Sequence, residues 1–193
     1  MDVRHRWVDA GGADEAFDDV VAHYAEPHRA YHTMHHVEHV LATVDEIGQG
    51  HDPAVVLAAI LHDVIYAPER DDNEERSADY ARRVLVGHDA VERVAMLIEA
   101  TKSHDGAEGD EGLDALLDAD LSTFADDNEG RNGDLIRREY AGVPVEAFRA
   151  GRMRILQDFL EREPLYRTAL MRTRYEAAAK ANIRRAIDRI GSD

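Results

Sequence analysis

Apolar positions recur three and four residues apart along almost the whole chain, and no run alternates with the period of two that marks a half-buried strand. The pattern predicts helices only. A first spans 13–24 and ends near Pro27. A second is capped by Thr33, carries Val37, Val40, Leu41, Val44 and Ile47 on one stripe, and stops at Gly48 and Gly50. Asp52 and Pro53 make a good N-cap and first-turn pair for a third. Its stretch 54–66 reads A-V-V-L-A-A-I-L-H-D-V-I-Y, and a helix apolar on every side belongs inside a protein rather than on its surface. After a polar loop at 67–72, a helix with Ala78, Ala81, Val84 and Leu85 inward runs to Gly87, and another covers 89–101. The acidic, Gly-rich stretch 103–112 reads as a loop, 113–124 as a short apolar helix, and a second loop extends through Gly133. Helices at 135–140, 145–161 and 165–190 close the chain. Short connections, no repeat period and no linker predict one compact all-α, multi-helix domain over 1–193. Leu165, Leu170, Tyr175, Ala178, Ile183 and Ile187 form a last stripe, suited either to packing on the domain or to a homodimer.

Composition narrows the function. The 193 residues suffice for a substantial core, and the absence of Cys excludes disulfides, thiolate metal sites and a Cys nucleophile. Residues 1–7 hold no apolar stretch, and no run approaches the roughly 18 apolar residues of a membrane span. The expectation is a soluble, cytoplasmic protein. A formal charge of -17 argues against a nucleic-acid duplex as partner, because phosphate backbones need clustered Lys and Arg. A small phosphorylated partner stays compatible if a metal or a few placed cations supply local positive charge.

Chemistry concentrates at His62-Asp63, two ionisable neighbours at the end of the all-apolar helix. Burying them is expensive unless something compensates. A metal ion does, since it takes a neutral imidazole and an ionised carboxylate together; a hydrogen-bonded pair at a helix terminus is the plainer alternative. Upstream, the second helix opens with Y-H-T-M-H-H-V-E-H. His36 stands four residues before Val40 and eight before Val44 and so faces the core. His35 and His39 fall on a more polar face with Glu46 and read as solvated, while His32 lies at the helix start, within reach of a site there. Downstream, Asp118 and Asp120 are embedded among leucines, and either can complete a ligand set.

In order, His36, His62-Asp63 and Asp120 form an H…HD…D series, and the chain resembles the HD-domain phosphohydrolases, more closely a group of predicted metal-dependent members of about this length. The resemblance lies in R-A-Y-H-x-x-x-H-V (29–37), A-x-L-H-D-V-I-Y (59–66), D-N-E-E-R-S-A (72–78), T-K-S-H (101–104), D-A-D-L-S (118–122) and the later R-x-E-Y-x-x-V-P and G-R. It covers roughly 24–182, with the motifs in a core of about 24–125 and further helices at about 131–190. It implies an HD-type helical fold with one divalent metal (Mn, Fe, Co, Ni, Zn or Mg) on His36, His62, Asp63 and Asp120. His104 leaves room for a second.

Two imidazoles and two carboxylates make a mixed nitrogen–oxygen site with open positions, suited to hydrolysis of a phosphate ester or anhydride, a nucleotide among the candidates, by activated water. Glu74, inward-facing with Ser77, Ala78 and Ala81, can orient that water or carry a proton; as a first-turn carboxylate it also suits the helix dipole, with Asn73 as the cap. Lys102 is one of only two lysines and is read with Asp63 and Glu74 as catalytic. Lys102, His104 and Arg152, with Arg137 or Arg138 as further options, are the candidate phosphate contacts. Tyr31 and Tyr66 either line the pocket or pack. The competing reading keeps the fold without turnover, as a metal- and nucleotide-binding regulatory module. A ferritin-like di-metal bundle is disfavoured because no Glu has a His three residues later, and a zincin because His35-His36-Val37-Glu38-His39 places its Glu wrongly.

Overall fold

The computed structural model describes residues 2–126 and 129–192. Among these there is no strand, and eleven α-helices follow one another: α1 (Val3–Asp9), α2 (Phe17–Tyr24), α3 (Met34–Ile47), α4 (Pro53–Leu61), α5 (Asn73–Val84), α6 (Val91–Ala100), α7 (Glu111–Leu121), α8 (Glu129–Glu139), α9 (Val145–Glu161), α10 (Ala169–Arg174) and α11 (Glu176–Ser192). Single 3-10 turns precede α2 and follow α7. No helix among the described residues is long and apolar enough to cross a membrane.

The all-apolar stretch is the centre of the molecule. Every residue of α4 from Ala54 to Leu61 is buried, and α1, α3, α5, α6 and α7 all pack on it. Asp52 caps α4 by accepting the Ala54 N–H at 2.8 Å, with Pro53 in the first turn. At roughly 1.5–3 kcal/mol for each large side chain removed from water, Leu57, Ile60 and Leu61 anchor the main core. A second, smaller core gathers Leu121, Phe124, Leu156, Leu165, Tyr166, Met171, Ala179, Ile183 and Ala186 from the end of α7 and the 3-10 turn after it, from α9, α10 and α11, and from the segment between α9 and α10. Helix α7 joins the two, and its C-terminal end is therefore held from both sides.

Several boundaries depart from the periodicity. Helix α1, unmarked in the sequence reading, is short and buries Val3 and Trp7; Trp7 donates to the Ala13 carbonyl at 2.8 Å. The helix expected over 13–24 is a 3-10 turn followed by α2. Helix α8 begins at Glu129, inside the stretch read as loop; residues 127 and 128 of that expected loop lie outside the described residues. The helix expected over 165–190 is α10 and α11 with a break at Tyr175, because Glu176 turns back to accept the N–H groups of Leu165 and Tyr166 at 2.8 and 3.1 Å. The break shifts the phase, so Ala179 rather than Ala178 is buried, while Leu165 and Ile183 sit in the smaller core and Leu170, Tyr175 and Ile187 pack against it. Asn73 is not a cap. It is the first residue of α5, and its side chain binds the N–H and carbonyl of Ala67, each at 3.0 Å.

Candidate metal centre

Three segments meet beneath one cleft. His36 comes from the first turn of α3, His62 is the residue that ends α4, Asp63 follows in the turn, and Asp120 is the last residue but one of α7. His36 Nε2 lies 3.0 Å from Asp120 Oδ1 and 3.3 Å from His62 Nε2, and His62 Nε2 lies 3.5 Å from Asp120 Oδ1. Asp63 Oδ2 is 3.1 Å from His62 Nε2 and 3.7 Å from His36 Nε2. Ligand atoms about 2.1 Å from a common ion stand about 3.0 Å apart in octahedral and about 3.4 Å apart in tetrahedral geometry. His36, His62 and Asp120 can thus hold a metal ion as they stand; Asp63 Oδ2 lies beside both imidazoles but outside the group whose ligand atoms all fall within 4.8 Å of one another.

The surrounding bonds fit that use. His62 Nδ1–H donates to the Ala59 carbonyl at 3.0 Å, which leaves Nε2 facing two carboxylates. That position calls for a proton or a metal ion between them, and it is the usual setting of a metal-bound imidazole. Burial opposes charging His62, yet Asp63 and Asp120 more than reverse this and hold its pKa well above the ordinary value. Burial likewise opposes ionising Asp63 and Asp120, but the neighbouring imidazoles, His62 foremost, pull both far below the usual carboxylate range. His36 differs in that its buried Nδ1 has no hydrogen-bond partner, so its ring is held by packing and by the contacts of Nε2 with Asp120 and His62.

The turn that presents His62-Asp63 is locked by residues that sequence reasoning gave no role. The buried Arg29 guanidinium donates to the carbonyls of His32 (3.1 Å), Asp63 (2.7 Å) and Val64 (2.9 Å). Ser77 binds both backbone groups of Ile65; with Asn73 on Ala67 it ties α5 to the turn and brings Glu74 to the cleft. Glu139, at the end of α8, accepts the N–H groups of Ala30, Tyr31 and His32 on Oε1, each at 2.8 Å, and pairs Oε2 with His32 Nδ1 at 2.7 Å. Arg29, Ser77 and Glu139 all stand inside the segments that carry the family resemblance. The residue identities were visible there, but not the distant backbone groups they serve.

The cleft above the cluster has a volume of about 570 Å³, and Asp63, Asp120, Glu74, Lys102, His104, Arg152, Tyr31 and Tyr66 all line it. Glu74 is half-buried, and burial raises its pKa above the ordinary value. Lys102 is solvent-exposed at the rim, paired with Glu75 at 2.6 Å and bonded to the Asp71 carbonyl. His104 Nε2 lies 2.8 Å from Asp120 Oδ2. Arg137 lies elsewhere, lining a separate cavity and donating to the Tyr140 carbonyl, and Arg138 is exposed. The ambiguity of D-A-D resolves by direction: Asp118 points away from the cluster and accepts the N–H groups of Arg167 and Thr168, each at 2.7 Å. His35 is exposed, but His39 is half-buried against Ser122 at 2.8 Å. The solvated reading of His39 is therefore corrected: α7 covers that side of α3.

Compared with family models, with curated proteins and with solved structures, the chain gives no significant match in any of the three.

Proposed function

We propose that the protein is a metal-dependent phosphohydrolase of the HD type, cleaving a phosphate ester or anhydride of a small molecule. The observation that carries this reading is the convergence of His36, His62 and Asp120 with Asp63 at the floor of a cleft lined by Glu74, Lys102 and Arg152. When bound, the ion supplies Lewis acidity to water and to a phosphoryl oxygen. The chain's own residues supply the rest. Glu74, with its raised pKa, is suited to take a proton from the attacking water as its oxygen bonds to phosphorus and the bond to the leaving oxygen breaks. Arg152 and Lys102 set positive charge along the path of an anionic substrate, against the repulsion of a chain of net charge -17.

One observation favours a second reading, a metal- and nucleotide-binding module without turnover. Lys102 is already neutralised by Glu75 and must exchange that partner for a phosphate.

The deciding experiment follows phosphate release, with chromatography for products that keep their phosphate, from nucleotides, pyrophosphate compounds and sugar phosphates. Wild type and Asp63→Ala are stripped of metal and reloaded with Mn, Co, Ni, Mg or Zn. Metal-dependent turnover lost in the variant is the expected result. An inert wild type that binds metal tightly favours the binding module, and activity surviving in Asp63→Ala overturns the site.

A further inference from the structure

A carboxylate that serves as a metal ligand needs something to hold its orientation, and for Asp120 that partner comes from a loop outside the cluster. We propose that His104, fixed in place by Arg162, is the positioning residue for Asp120, turning Oδ1 of that carboxylate toward His36 and His62. The proposal rests on the metal-centre reading and on no particular reaction.

His104 Nε2 lies 2.8 Å from Asp120 Oδ2, which leaves Oδ1 at 3.0 Å from His36 Nε2 and 3.5 Å from His62 Nε2. His104 is not itself among the residues whose ligand atoms cluster. Partners of this kind, one bond removed from the ion, orient ligands and tune their basicity.

The backbone at His104 is unusual. Its φ of +51° makes it the one positive-φ residue other than glycine among the described residues. It closes the last turn of α6, its N–H donating to the Ala100 carbonyl at 3.0 Å, a place where glycine is the usual occupant. A side chain held in the left-handed region costs about 1–3 kcal/mol and persists only where the surroundings impose it. Arg162, just past α9, does so: its two terminal nitrogens donate to the carbonyls of Ser103 (2.8 Å) and His104 (2.9 Å). The Arg162 guanidinium lies over the Phe159 ring at 4.8 Å, and the His104 imidazole meets the same ring edge-on at 5.5 Å. Arg162 is held in turn, since Lys180 donates to its carbonyl at 2.6 Å. The smaller core thereby reaches the metal centre through one arginine and one imidazole. The plainer account makes Arg162 a simple acceptor-filling contact at a helix end, in which case the imidazole is dispensable.

The test is uptake of Co(II) by the full chain, with affinity read by chelator competition and geometry by the visible absorption of the bound ion. His104→Phe keeps the ring against Phe159 but loses the bond to Asp120; affinity is expected to fall about 10- to 100-fold with a changed spectrum. His104→Gln, which can still donate to Oδ2, should retain most of the affinity. Arg162→Ala removes no candidate ligand yet should weaken uptake in the same direction, and it carries the test if His104→Phe does not fold. Phe binding as tightly as wild type, or Gln as weakly as Phe, overturns the proposal. So does a wild type holding two ions where His104→Phe holds one, since His104 is then a ligand. A wild type that takes up no ion overturns the metal centre itself, whereas uptake lost in His62→Ala but unchanged in His104→Phe removes the positioning role alone.

Discussion

At the scale of single residues, the two aspartates of D-A-D show how one helical turn separates chemistry from structure. Asp120 turns to the imidazoles, whereas Asp118 satisfies two backbone N–H groups ahead of α10. Asp118→Ala should cost about 1–3 kcal/mol, since it orphans two partly buried backbone donors, and leave Co(II) uptake intact. Asp120→Ala should abolish tight uptake without a comparable loss of stability. Melting curves beside chelator competition distinguish the two, and the reverse pattern would assign the ligand to Asp118. Glu74→Gln keeps shape and removes the proton acceptor; a fall in turnover of about 10²- to 10⁴-fold with unchanged metal affinity is expected. Equal loss of both in that variant would make Glu74 a ligand rather than a proton carrier.

At the scale of elements, the site depends on how the turn after α4 is tied to its neighbours. Asn73 and Ser77 supply partners for the backbone of Ala67 and Ile65, and Arg29 for that of Asp63 and Val64. Asn73→Ala should therefore speed hydrogen exchange at the Ala67 amide and cost about 1–3 kcal/mol. Unchanged exchange at that amide would show that the turn is held without α5. Helix assignment from periodicity succeeded where one face or the whole surface of a helix is buried, as in α3, α4 and α6. It failed at α1, too short to show a period, and at the break between α10 and α11. That break depends on Glu176 capturing N–H groups ten and eleven residues earlier, a contact no local pattern encodes.

At the scale of the whole molecule, Glu139 ties α8 to the loop that carries Tyr31 and His32, across more than a hundred residues of sequence. Burial opposes its ionisation, but the bond to His32 and the three backbone N–H groups lower its pKa from 4.5 to about 2. A carboxylate with a depressed folded-state pKa adds stability that is complete above its unfolded value, near 4.5, and drains away as pH falls toward about 2. Wild type should accordingly melt above Glu139→Gln at pH 5, and that margin should shrink by pH 3. A margin that holds or widens between pH 5 and pH 3 overturns the assignment.

The sequence alone determined the all-helical class, the buried α4 with His62-Asp63 at its end, and the core-facing phase of His36, because each follows from local periodicity and the price of burying charge. Only the tertiary structure decided that Asp120 rather than Asp118 joins the imidazoles, that Glu139 and Arg29 hold the loops around them, and that His104 lies against Asp120. Those outcomes depend on which distant backbone groups and carboxylates each side chain meets, and proximity of that kind is created by packing, not by spacing along the chain.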